Sequence, residues 1–218
     1  MRRSGNRFPL TKSNELGYAI KLRNVFLDYF SSKHIGGFLM QTPLVPRQPV
    51  PNLTVPIVDG STWTLADQTP QQFTLIVVYR GLHCPICSHY LADLNRRIEA
   101  FNELGVSVLV LSSDDEARAS QAKHDWQLGS LDVGYNLSLE TARKWGLYIS
   151  SSNGKTSAGV VEPDRFPEPG LFLVRPDNTL YFASVQTMPF ARPSFADILK
   201  AVSFVIEKDY PARGEISN

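Results

Sequence analysis

The chain has 218 residues, 43% of them hydrophobic, and its 22 Lys and Arg against 21 Asp and Glu leave a net charge of +1. That length suits one domain with terminal additions and a substantial core, and balanced charge gives no ground for nucleic acid or a strongly anionic partner. With two cysteines there is no disulfide framework, no apolar run approaches membrane-spanning length, and Met1-Arg-Arg-Ser-Gly-Asn-Arg lacks the apolar stretch of a secretory signal, so no membrane association and a cytoplasmic location are expected.

Residues 1–12 form a basic lead. Ser13 suits an N-cap, and Leu16, Ile20, Val25, Phe26, Leu27, Tyr29 and Phe30 lie among charged residues over 14–30, which predicts an extra N-terminal amphipathic helix. Apolar stripes usually face a core, so packing within the chain is expected, ahead of a contact with a second subunit. Gly36-Gly37 ends the pattern, and Pro43, Pro46, Pro49 and Pro51 make 41–52 an extended linker. Residues 1–42 thus read as an extension, 43–207 as the domain and 208–218 as a flexible tail.

Within the domain, two short β-prone runs, 53–58 and 62–65, flank Asp59-Gly60, a strong hairpin signal. Polar turn residues follow. The run Phe73-Thr-Leu-Ile-Val-Val-Tyr79 then reads as a central strand buried on both faces.

That strand ends in Tyr79-Arg-Gly-Leu-His-Cys84-Pro-Ile-Cys87, which holds both cysteines of the chain. A helical pattern begins at Pro85, whose fixed φ and missing N–H suit the first helical position. The first turn of a helix carries unpaired N–H groups and the positive end of the dipole, so a thiolate is favoured there, and a second thiol three residues on can close a disulfide with it. Arg80 adds a positive charge just upstream, and a protonated His83 would tune the thiolate further, unless it is a solvent-facing loop residue. Two other readings stand beside the redox one. Both cysteines could be ordinary buried residues. Zinc could be held by His83, Cys84, Cys87 and His89, although His89 lies two residues past Cys87, about 200° around a helix, and no second Cys/His cluster completes a tetrahedral set. No metal and no cofactor are expected.

Downstream, a helix is predicted over 85–104 with Tyr90, Leu91, Leu94, Ile98 and Phe101 inward and Gly105 as its stop, followed by a strand over 106–111. Ser112-Ser-Asp-Asp-Glu reads as a capping cluster for a helix over 115–126. A short strand over 131–135 and a short helix over 138–146 follow. Residues 150–170 read as a long loop, either a disordered insertion or a flap near the cysteines. A hairpin (171–174 and 179–185) and a last helix from Ser194 to about Lys208 complete the chain. This alternation argues for an α/β fold whose central sheet is flanked by helices.

Tyr-Arg-Gly-x-x-Cys-Pro-x-Cys after an apolar strand, with Leu91 and Leu94 in the helix that follows, resembles the peroxiredoxin-like, AhpC/TSA-like branch of the thioredoxin superfamily over about residues 43–207. The resemblance implies a thioredoxin-like fold with a mixed sheet and an N-terminal β-hairpin. It also implies a thiol-dependent oxidoreductase that reduces a small peroxide or a protein disulfide, recycled by a thioredoxin- or glutathione-type reductant, with a homodimer as one expected state. Cys84 and Cys87 would be the catalytic pair, with Arg80, His83 and Pro85 in support. Pro169, just before the strand that opens the last hairpin, matches the place of the thioredoxin cis-proline. The alternative is a non-enzymatic redox sensor or binding protein on the same fold.

The family's Pro-x-x-x-Thr/Ser-x-x-Cys pattern is absent: counting back from Cys84 gives Gly81 and Val77, and from Cys87 gives Cys84 and Arg80. The family's pocket arginine finds no match either, since Pro169 stands in roughly its place with Arg165 and Arg175 only nearby. Against thioredoxin, His83 replaces a Trp and Val78 a buried Asp. Helix position favours Cys84 as nucleophile, because Cys87 sits a turn deeper, whereas alignment with peroxiredoxins favours Cys87.

Overall fold

Six consecutive buried residues form β3 (Phe73–Val78), the middle strand of a five-stranded sheet. In this computed structural model residues 43–216 are described, and they belong to one unit, Gln41–Asn218. The predicted helix over 14–30 lies outside the described residues. The hairpin forms as expected: β1 (Thr54–Pro56) pairs antiparallel with β2 (Thr62–Thr64). Its turn carries Gly60 at φ +90°, and the Asp59 carboxylate accepts from the Ser61 N–H at 2.8 Å.

The sheet has the order β5-β4-β3-β8-β9. β4 (Val106–Leu111) runs parallel to β3, and β5 (Asp132–Gly134) parallel to β4, while β8 (Gly170–Val174) and β9 (Leu180–Val185) form an antiparallel hairpin against the other edge of β3. It is therefore a mixed sheet, as the resemblance implied. Strand periodicity splits its side chains between two apolar layers. Leu75, Val77, Val108, Val110 and Leu171 face one layer with the cysteines and the helices that carry Leu91, Phe101, Phe195 and Val202. Ile76, Val78, Leu109, Leu111 and Phe172 face the other, with Val55, Trp63, Trp145 and Leu147.

The helix expected over 85–104 is two helices, α1 (Pro85–Asn95) and α2 (Ile98–Glu103). Arg97 leaves helical geometry, at φ −110° and ψ 3°, its N–H donates to Leu94 rather than one residue further back, and Arg96 and Arg97 both reach the Asp93 carboxylate at 3.1 and 3.0 Å. This tight turn redirects the axis so that Ile98 and Phe101 remain against the sheet. α3 (Glu116–Asp125) is capped by Asp115, and α4 (Leu139–Lys144) by Ser138. Further on, α5 (Phe195–Lys208) starts after Ser194 and ends at Asp209 in the left-handed conformation.

Residues 150–170 are not a plain loop. β6 (Ile149–Ser151) pairs antiparallel with β7 (Arg165–Pro167), and a bridge between Lys155 and Val161 closes the tip of this ribbon. In the segment read as the start of the tail, Ala212 is buried and its carbonyl accepts from Arg47 Nε at 2.9 Å.

Candidate active site

The route from β3 to α1 is set by a tight turn. Gly81 has φ +129°, a conformation that side chains disfavour, and its carbonyl accepts from the Cys84 N–H at 3.1 Å. Cys84 is thereby the N-cap of α1 and Pro85 its first residue, as the sequence predicted. Cys87 follows one turn on, and its N–H donates to the Cys84 carbonyl at 3.0 Å.

Both thiols are free and both are buried, Cys84 at 1% and Cys87 at 0% exposure. Their chemistry diverges. The Cys84 thiol is lowered to about 6, first because the Cys87 thiol can donate to its thiolate, with further help from the Cys87 N–H and the charges of Arg192 and Arg80, against the cost of burial. Cys87 is pushed well above the usual thiol range, first by burial and then by the neighbouring Cys84 sulfur. One sulfur is thus poised as a thiolate and the other as a proton-bearing thiol beside it.

Arg192, from the segment between β9 and α5, supplies the nearest cation. Its Nη2 lies 3.2 Å from the Cys87 sulfur and 3.9 Å from that of Cys84. The guanidinium is held by its Nε bond to the Pro189 carbonyl, at 2.9 Å, and lies over the Tyr90 ring, 5.0 Å from its centroid. Tyr90 in turn donates its hydroxyl proton to the Pro193 carbonyl at 2.8 Å, which ties the segment to α1.

Arg80 adds its charge to Cys84 as the sequence suggested, but only as a minor contributor. Its guanidinium is engaged by the ribbon, 3.1 Å from Glu162 and 3.5 Å from Glu168, and lies over Phe166 at 4.6 Å. It reaches Cys84 only as a weaker, more distant charge. His83 is not solvent-facing: it is fully buried, 4.6 Å from the Phe166 ring, with no hydrogen-bond partner on either ring nitrogen. Burial first, and Arg80 second, push it down to about 4, so at neutral pH it carries no charge with which to tune a thiolate.

The zinc reading finds no support. Among the described residues no group of three or more His, Cys, Asp or Glu is arranged to hold a metal ion. His89 is exposed and turned to the Pro85 carbonyl at 3.0 Å.

A sequence profile described as the AhpC/TSA family matches residues 46–183, more than half of the chain. The chain belongs to the AhpC/TSA family. No curated protein matches this AhpC/TSA chain. Among solved structures it is similar to a cysteine-to-serine mutant of peroxiredoxin 6 from Arenicola marina, with a TM-score of 0.62 and 17% identity, covering 76% of this chain and 75% of that one. It is also similar to peroxidoxin BcpB from Mycobacterium tuberculosis (TM-score 0.58, 15% identity, 75% of this chain and 98% of that one). A third is AhpC from Mycobacterium tuberculosis (TM-score 0.59, 14% identity, 76% and 99%).

In this AhpC/TSA fold Pro169 lies just ahead of β8, but its peptide bond is trans, since the described residues contain no cis peptide. Only Glu168 and Pro169 separate β7 from β8, and the Pro169 carbonyl accepts from the Gln186 N–H at 3.0 Å, extending the β8–β9 ladder. A cis bond would turn the chain out of that pairing. Two site residues escaped the sequence reading. Arg192 sits in an irregular segment far from the motif. The sequence reads Asp114 as part of a helix cap, whereas its carboxylate is buried against the motif turn. A lone arginine between Met-Pro-Phe-Ala and Pro carries no local signal, and for Asp114 the only hint is its place three residues past a buried strand.

Proposed function

We propose that this chain is a thiol-dependent reductase of peroxides in which Cys84 is the nucleophile and Cys87 resolves it. The observation that carries the reading is the asymmetry of the pair: a helix N-cap thiol lowered to about 6 beside a thiol raised well above its usual range, both within reach of one guanidinium. In the first step the Cys84 thiolate attacks one peroxide oxygen, the S–O bond forms as the O–O bond breaks, and the departing oxygen takes a proton to leave as water or an alcohol. Sulfur is oxidised to a sulfenic acid and the peroxide is reduced. Cys87 then displaces the sulfenic hydroxyl, which leaves as water, and the Cys84–Cys87 disulfide forms. An external thiol of thioredoxin or glutathione type restores the two thiols by exchange. Arg192 stabilises the thiolate and the negative charge that develops on the departing oxygen.

The burial of both sulfurs favours a small peroxide over the disulfide of a folded protein. It also keeps a second reading in view, a redox sensor oxidised once per event, because Gly81 stands where the family pattern places a hydroxyl beside the cysteine.

Mass spectrometry of the reduced protein and of Cys84→Ser and Cys87→Ser after limiting hydrogen peroxide, with consumption followed in the presence of a thioredoxin or glutathione recycling system, tests this. Catalytic consumption, an intramolecular disulfide in the parent and sulfenic acid only in Cys87→Ser are expected. Stoichiometric oxidation without turnover supports the sensor, and full activity in both variants refutes the cysteine cycle.

A further inference from the structure

Asp114 stands just past the end of β4, where the neighbouring β3 runs into the motif, and its side chain is 0% exposed. One carboxylate oxygen accepts from the Leu82 N–H at 2.7 Å, and the other from Arg118 Nε at 2.9 Å. Its own N–H donates to the Ser112 hydroxyl at 3.2 Å, and its carbonyl accepts from the Asn136 N–H at 2.8 Å, so its backbone is anchored on both sides. Leu82 is the second residue of the turn that runs from Gly81 to Cys84 and is closed by the Cys84 N–H. The carboxylate lies so close to that turn that a Cβ on residue 81 would fall 2.7 Å from both of its oxygens.

We propose that Asp114 is a positioning residue for Cys84: its buried carboxylate clamps the Gly81–Cys84 turn and so holds the Cys84 sulfur at the N-terminus of α1, opposite Cys87 and Arg192. This rests on the reading of Cys84 as the nucleophile and extends it to a residue that touches neither sulfur nor substrate. A buried carboxylate is costly unless its lone pairs are used. Here the backbone N–H of the motif turn uses one, which makes the turn and the carboxylate mutually dependent. Burial raises the Asp114 carboxyl above its ordinary value, while the Leu82 N–H and Arg118 oppose that rise.

Charge and position predict opposite signs. If Asp114 acted on Cys84 only as a nearby negative charge, neutralising it would favour the thiolate and lower the Cys84 pKa. As a clamp, its loss frees the turn, takes the sulfur from the helix N-terminus and raises that pKa.

The experiment is alkylation of the full-length reduced protein by iodoacetamide across pH 4 to 9, with Cys84 modification mapped by mass spectrometry. For Asp114→Ala the midpoint is expected to rise by about one pH unit, which at pH 5 slows Cys84 alkylation about tenfold. Asp114→Asn, which keeps one acceptor for Leu82, shifts it less. Hydrogen exchange at the Leu82 amide quickens in the same order. An unmoved or lowered midpoint in a folded variant overturns the proposal. If neither variant folds, Asp114→Glu decides, because it keeps the charge and shifts the carboxylate by one methylene from the Leu82 N–H: a raised midpoint supports the clamp, and an unchanged one refutes it. Peroxide turnover is read separately, so a protein that never consumes peroxide but shows these shifts rejects the proposed function and keeps the clamp.

Discussion

Arg192 donates to the Cys87 sulfur at 3.2 Å across 105 residues of sequence, and the same nitrogen lies 3.9 Å from Cys84. With both thiols free, a single guanidinium is therefore within reach of both sulfurs. Replacing it with Met keeps an apolar side chain in the segment and removes the charge-assisted contact, which in a buried site is worth about 1.5–3 kcal/mol. Arg192→Met is expected to raise the Cys84 pKa and slow its reaction with peroxide roughly 10- to 100-fold, measured by stopped-flow oxidation. Arg192→Lys, which keeps charge without the planar fork, recovers part of the loss. A rate within twofold of the parent in Arg192→Met removes this arginine from the mechanism.

Local patterns made the frame legible, and long-range contacts hid the rest. Pro85 after Cys84 announced a helix start because capping depends on adjacent residues, and the run 73–79 announced a buried strand because its composition leaves no polar face. The ribbon escapes the sequence because each strand has three residues and finds its partner across 13 intervening positions, between Ser151 and Arg165. His83 gave no sign of burial because Phe166, from that ribbon, is what covers it. Asp114 and Asp115 look alike in sequence, yet Asp115 caps α3 while Asp114 turns inward, and only the seating of β4 beside β3 separates their roles.

Thiolate chemistry should follow the lowered Cys84 pKa. Reactivity toward peroxide is expected to rise through pH 6 and level off above about pH 7, with no second rise near pH 8.5, where an ordinary thiol titrates. The linkage sign follows from the same shift. A thiol whose folded pKa is depressed contributes stability that is complete above its unfolded pKa and is lost as pH falls through the folded value. Denaturant titrations of the reduced protein should thus show this contribution fading between about pH 8.5 and 6, and the Cys84→Ser variant should lack it. A peroxide-rate midpoint at 8 or above in the parent sinks the assignment of Cys84.

His83 makes a prediction of its own. With the folded value at about 4 and the unfolded one near 6.5, the unfolded state binds more protons in that interval, so stability rises with pH from 4 to 6.5. His83→Leu removes this slope. Because neither ring nitrogen has a hydrogen-bond partner, the substitution also removes two unsatisfied buried groups and is expected to cost nothing or to stabilise by about 1 kcal/mol. Cys84 alkylation should keep its midpoint. A shifted midpoint would instead mean that the imidazole acts on the thiolate.

Arg80 belongs to the ribbon more than to the sulfurs, and its removal should show it. Glu162 and Glu168 have side chains 5% and 6% exposed, and Arg80 is the cation between them. Arg80→Met leaves two buried carboxylates without their counter-charge, an arrangement expected to destabilise the fold by about 3–5 kcal/mol. The carboxylates keep some partners, since Glu162 accepts from the Asn153 N–H at 2.6 Å and Glu168 from the Ser150 hydroxyl at 2.6 Å, so the ribbon loosens locally before the sheet does. Hydrogen exchange should accelerate over 149–168 and stay slow in β3 and β4. The triple variant Arg80→Met, Glu162→Gln, Glu168→Gln should regain much of the lost stability, because no uncompensated charge remains inside. If the single and triple variants unfold at the same denaturant concentration, the pairing of Arg80 with the two glutamates does not hold the ribbon in place.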